Sequence, residues 1–272
     1  MLASISSWSY RSLFEEGATD LLSFVDEVHR QGADGLEIFP RHVNPDDPAG
    51  HLSEVARKAG SLGLEVSAVI AANDFARPLA TERAEQVERM EEWIRHTASA
   101  GIERMNTFTG YHTSGDDPLM EVHRVIDAYR EVMPLAEQRD VVLCIENHSS
   151  VCRDADGVLA VIRAVGSPNL RTNPDFTNFV QDFRNRSERS LEAVYTETEK
   201  VAPLAANAHL KVGDFTDEGE HAYVDVGRLI GILRETGYDG HVALEYYGRD
   251  DPVEACAKGI ALLRRYIPST GV

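Results

Sequence analysis

The 272-residue chain predicts a single (β/α)8 barrel, and three observations carry that expectation. Eight short β-rich runs alternate with amphipathic helical stretches from end to end, the pattern of a parallel α/β sheet. No Pro/Gly/Ser-rich linker or charge block interrupts them, so residues 1–272 read as one domain. The length also suits a closed barrel, which typically takes about 250 residues. An open nucleotide-binding sheet would show a glycine-rich turn after an early strand, and neither GxGxxG nor GxxxxGK[ST] occurs, which favours closure.

The expected strands are LASIS (2–6), DGLEIF (34–39), LEVSAVI (64–70), ERMNTF (103–108), VVLCIEN (141–147), LRTNPD (170–175), NAHLKV (207–212) and HVALEY (241–246). Between them lie segments such as 19–32, 81–101, 118–139 and 225–237, whose apolar residues recur three and four apart, so each can cover the barrel wall with one face. Gly32, Gly101 and Gly237 stand where a helix must stop before the next strand.

Composition narrows the function. A formal net charge of −18 opposes phosphate backbones, so no nucleic-acid partner is expected. No run of about 18 uncharged apolar residues is present and the first residues lack a basic segment followed by an apolar one, which predicts no membrane partner and a cytoplasmic protein. Cys144, Cys152 and Cys256 show no CxxC spacing and read as reduced thiols.

In such barrels the chemistry sits at the strand C-termini and the loops after them. Reading each strand to its end places Glu37 and His42 after the second strand, Asn106 and His112 after the fourth, and Glu146, Asn147 and His148 after the fifth. The later strands contribute Asp175, His209 with Lys211, and Glu245. Strand alternation groups Cys144, Glu146 and His148 on the inward face, and Ala243 with Glu245 on the inward face of the last strand. Two carboxylates meeting in the mouth repel unless one holds a proton or both bind a cation, and Asp175 with His209 completes a mixed oxygen/nitrogen set. Glu146, Asp175, His209 and Glu245 are therefore the expected ligands of one divalent ion. Without thiolates the set suits manganese or magnesium, with cobalt or zinc as substitutes. Trp8 and other aromatic residues near strand ends are expected as pocket wall that could stack on a sugar. The segment 176–187 reads as a lid or as a dimer contact, the second of which admits a homo-oligomer.

Four ordered motifs, VVLCIENH (141–148), GSPNLRTNPDFTNF (166–179), AHLKVGD (208–214) and the stretch 223–252, resemble the sugar phosphate isomerase/epimerase family of xylose isomerase-like TIM barrels. The resemblance runs along nearly the whole chain. It implies the same four metal ligands, adds Lys211 and Asp225 as recurrent positions, and puts Asn178 at a polar substrate contact. It further implies proton transfer next to a carbonyl through a metal-stabilised enediolate, with Glu146 and Glu245 as acid and base, on a small sugar or polyol. His148, Asn178, Lys211, His112, Glu37 and Trp8 are the expected substrate contacts. Ketose 3-epimerases of the family carry another glutamate and an arginine where this chain has SSVCRD (149–154) and VGDFTD (212–217), and the family glycine of the strand-six motif is Thr177. A lyase or dehydratase acting on a keto-sugar or cyclitol shares the enolate and is the alternative. A sugar-binding protein without turnover is a third reading.

Overall fold

The computed structural model describes residues 1–148, 150–180 and 188–268. The strands are β1 (Leu2–Ser6), β2 (Gly35–Ile38), β3 (Glu65–Ala71), β4 (Arg104–Thr107), β5 (Val142–Glu146), β6 (Leu170–Asn173), β7 (Ala208–Val212) and β8 (His241–Tyr246). They pair in the order β6-β5-β4-β3-β2-β1-β8-β7, every ladder parallel. The two ends of this order meet at a seam. There the parallel bridges Thr172↔Ala205 and Asp175↔His209 replace a continuous ladder and close the barrel. The cause is local, because Pro174 has no N–H to donate just past the end of β6.

Among the described residues nine helices surround the strands: α1 (Arg11–Glu15), α2 (Leu21–Arg30), α3 (Pro48–Ser61), α4 (Ala80–Ser99), α5 (Pro118–Gln138), α6 (Ala155–Val165), α7 (Glu188–Val201), α8 (Val226–Glu235) and α9 (Pro252–Tyr266). Helix α2 buries Leu21, Phe24, Val25 and Val28, the three-and-four spacing expected of it. Asp20, Asp47, Asp117, Asp154, Asp225 and Asp251 cap helices with their side chains, each such cap being worth about 0.5–2 kcal/mol. Asp225 therefore has a structural place, its carboxylate accepting from the Arg228 N–H at 3.0 Å. Gly32, Gly101 and Gly237 have φ of 71°, 72° and 77°, the left-handed conformation that ends a helix.

The apolar core lies between the barrel and the helices, where Ile5, Leu36, Val69, Met105, Leu143, Leu210 and Leu244 are fully buried. The inside of the barrel is different. Barrels of this class are usually filled by branched apolar layers, but here strand register aligns Ser6 with Glu37, Asn106 with Cys144, and His209 with Ala243. Asn173 and Asn207 join them, both fully buried. Apolar burial between the layers therefore holds the fold together, which leaves the inward positions free for polar chemistry. No helix among the described residues is long and apolar enough to cross a membrane.

Candidate metal centre

Glu146 is the last residue of β5, His209 the second of β7, Glu245 the fifth of β8, and Asp175 lies two residues past β6. Their relative exposures are 2%, 0%, 5% and 0%, and one ligand atom from each lies within 4.8 Å of the others. The bridge between Asp175 and His209 sets two of them side by side at the seam. His209 Nδ1 is 3.4 Å from Glu146 Oε2 and 3.7 Å from Glu245 Oε1, yet it is buried without a hydrogen-bond partner. Lys211, two residues further along the same strand, puts its ammonium 2.9 Å from Asp175, 3.1 Å from Glu245 and 3.9 Å from Glu146.

The electrostatics follow from this crowding. Burial, together with the neighbouring Glu245 and Asp175, pushes the Glu146 carboxyl up despite His209 and Lys211. Burial disfavours a charged His209, but the carboxylates of Glu37, Glu245 and Glu146 outweigh it and push the imidazole up. For Asp175, Lys211 and His209 outweigh burial and hold the carboxyl down. Once His209 and Glu146 give up their protons, three carboxylates against one ammonium leave two negative charges around the imidazole nitrogen. An orphaned, buried Nδ1 facing three hard oxygen donors fits a divalent ion, which satisfies the nitrogen and balances that charge.

The neighbouring side chains fix these ligands. Asn147 spans the ends of β5 and β6, accepting from the Asp175 N–H at 2.8 Å and donating to its carbonyl at 3.0 Å. Thr177, where the family has glycine, donates to Asp175 Oδ1 from its N–H at 3.0 Å and its hydroxyl at 3.1 Å. That contact lies outside the sequence expectations; the signal available was a hydroxyl two residues after a carboxylate, a common local hydrogen-bonding pair. Asn178 donates to Glu146 Oε1 at 3.1 Å. His148 stacks on Phe108 with ring centroids 4.8 Å apart, and its Nδ1 is 3.3 Å from the Tyr111 hydroxyl. Trp8 lies with its ring 5.9 Å from the Lys211 ammonium, and beside it a cleft of about 550 Å³ is lined by Trp8, Phe14, Phe39, Arg41 and His42.

Two expected substrate contacts have other places. His112 pairs with Glu121 in the first turn of α5 and its backbone N–H donates to the Ser150 hydroxyl oxygen, which commits it to the outer loops. Glu37 is 0% exposed and lies behind His209, 2.9 Å from its Nε2, so it has no surface at the mouth. The lid or dimer-contact segment falls largely on residues 181–187, outside the described residues; its first part, Thr177–Phe179, is a turn of 3-10 helix.

The fold and the site define a (β/α)8 barrel whose strand ends bring together three carboxylates and an imidazole that could hold a metal ion. The comparisons place the chain more closely: it belongs to the xylose isomerase-like TIM barrel family, whose model matches residues 25–266. No functionally curated sequence matches the chain. Among solved structures it is similar to a D-psicose 3-epimerase crystallised in the presence of D-fructose, at TM-score 0.78 and 16% identity over 98% of this chain and 99% of that one. It is also similar to 3-keto-D-glucoside 4-epimerase from E. coli, at TM-score 0.72 and 17% identity over 90% and 94%. A probable 3-DHS dehydratase from Bacillus anthracis gives TM-score 0.71 and 16% identity over 96% and 98%. At these identities the likeness is one of fold.

Proposed function

We propose that this protein is a divalent-metal-dependent isomerase or epimerase of a small keto-sugar or polyol. The observation that carries the reading is the buried, unpartnered Nδ1 of His209 among the carboxylates of Glu146, Asp175 and Glu245. A divalent ion held by these four residues, manganese or magnesium by the hardness of the donors, supplies a Lewis acid that acidifies the C–H next to the substrate carbonyl. Glu146 and Glu245 enter the mouth from different strands and serve as the proton acceptor and donor on either side of the enediolate. Lys211 keeps a fixed positive charge against Asp175 and Glu245, and Trp8 offers an apolar face to a sugar ring. Asn178 orients Glu146, and His148 lines the rim.

The test is incubation with manganese and a panel of keto-sugars in D2O. One carbon next to the carbonyl should take up deuterium, and Glu146→Gln should abolish the exchange. Absence of exchange with every sugar of the panel counts against an isomerase or epimerase. A lyase or dehydratase on the same centre is the second reading, favoured by SSVCRD and VGDFTD standing where ketose 3-epimerases carry a glutamate and an arginine. An unsaturated or deoxy product in place of a stereoisomer decides for it.

A further inference from the structure

Among the described residues, Glu37 is the one carboxylate deep inside the barrel that the proposed chemistry leaves without work. Its Oε2 lies 2.9 Å from His209 Nε2, and both side chains are 0% exposed. The same oxygen accepts from Asn207 Nδ2 at 3.0 Å and from Asn106 Nδ2. Two amide donors thus hold Glu37 as an acceptor, sealed from solvent, directly behind the imidazole. The strand order explains how it reaches. Between β2 and β7 stand β1 and β8, whose residues in register are Ser4, Ser6 and Ala243, all too small to block a glutamate crossing the interior.

We infer that Glu37 is the positioning residue of the metal centre: it accepts the Nε2–H of His209 and so fixes the ring tautomer whose Nδ1 lone pair faces Glu146, Asp175 and Glu245. The alternative tautomer, with its proton on Nδ1, turns a lone pair toward the carboxylate oxygen at 2.9 Å and forfeits a charge-assisted hydrogen bond. It also removes the only nitrogen lone pair the four ligands can offer an ion. As placed, the amide nitrogens of Asn106 and Asn173 lie 3.1 Å and 3.2 Å from Nε2, and the Asn173 amide can be turned end for end. Its Oδ1 has no partner, and rotating that amide brings the oxygen to the Nε2–H as a second acceptor. A carboxylate behind a ligating imidazole sets ring orientation and basicity, and its loss typically lowers metal affinity by about 10–100-fold.

The identity of the guest rests on the metal-dependent reading; the tautomer does not. The experiment therefore uses two readouts on the full chain with Glu37→Gln, which keeps size and an acceptor, and Glu37→Leu, which keeps bulk alone. Calorimetric titration with Mn2+ is expected to show a loss of about 10–100-fold for Glu37→Leu and a smaller loss for Glu37→Gln. Two-bond 1H–15N spectra of histidine-labelled protein, metal-free and with Mg2+, are expected to show a protonated His209 Nε2 in wild type and in Glu37→Gln. That signature should be lost or mixed in Glu37→Leu. Should Glu37→Leu fail to fold, Glu37→Gln still carries the test through its retained tautomer and weakened Mn2+ binding. Wild-type affinity in both variants, or an unprotonated Nε2 in wild type, overturns the inference. A wild type that binds no Mn2+ but keeps the Nε2–H signature sinks the metal reading alone.

Discussion

Lys211 stands among three carboxylates with its side chain only 13% exposed, and its pKa is held far above the usual lysine range by Asp175, Glu245 and Glu146, which outweigh burial. Removing one partner of a buried ion pair costs about 3–5 kcal/mol, because the other charge stays behind unpaired. Lys211→Met should therefore lower the melting temperature of the metal-free protein and tighten Mn2+ binding, so that the metal-induced thermal shift grows. An unchanged shift removes Lys211 from the charge balance of the site. Proton linkage gives a second expectation. Glu146 and His209 are both pushed up, so both hold protons near neutral pH until an ion displaces them. Mn2+ affinity should then rise with pH between about 6 and 9, since each proton that must leave leaves more easily as pH climbs. Calorimetry in buffers of different ionisation enthalpy checks this, because equal apparent enthalpies mean that no proton is released. The cluster of Glu146, Asp175, His209 and Glu245 was legible in the sequence, because strand alternation turns Glu146 and Glu245 into the mouth and donor chemistry adds the neighbouring Asp175 and His209. Glu37 was not, since a glutamate near a strand end reads alike whether it faces the mouth or crosses the interior, and only the three-dimensional register of Ser6 and Ala243 decides.

Elements carry these residues, and their packing sets how tightly each is held. Helix α9 lies behind β8 with Gly259 against Leu244, the neighbour of Glu245; a Cβ there would run into Leu244 Cδ2 and meet Cδ1 at 2.7 Å. Overpacking of this kind costs about 1–3 kcal/mol. The helix-propensity gain of Gly→Ala offsets at most about 1 kcal/mol of it. Gly259→Ala should therefore be destabilising on balance and should weaken Mn2+ binding through the shifted strand. A raised melting temperature shows instead that Leu244 yields freely. All eight strands were legible from alternation, with β1 and β8 at their observed bounds. The expected sixth strand, 170–175, stops early at Asn173, because Pro174 ends the donor row that alternation alone cannot see. Its last expected residue still reaches the site, because Asn147 grips the Asp175 backbone from both sides.

At the scale of the whole molecule, the feature that matters most is where the barrel closes. Seven strand pairs are laddered, whereas β6 and β7 meet through isolated bridges, with backbone bonds from Ala206 to Thr172, His209 to Pro174 and Phe176 to His209. One of those bridges joins Asp175 to His209, two of the four residues that converge on the proposed ion. Hydrogen–deuterium exchange should consequently slow on Mn2+ loading at the amides of Ala206, His209 and Phe176, and much less at the β2–β3 ladder across the barrel. Identical exchange with and without chelator separates closure from ion binding. If the expected slowing is found, the ion works as a buckle on a hoop, and the same grip that readies the chemistry keeps the ring from springing open at its least stitched point.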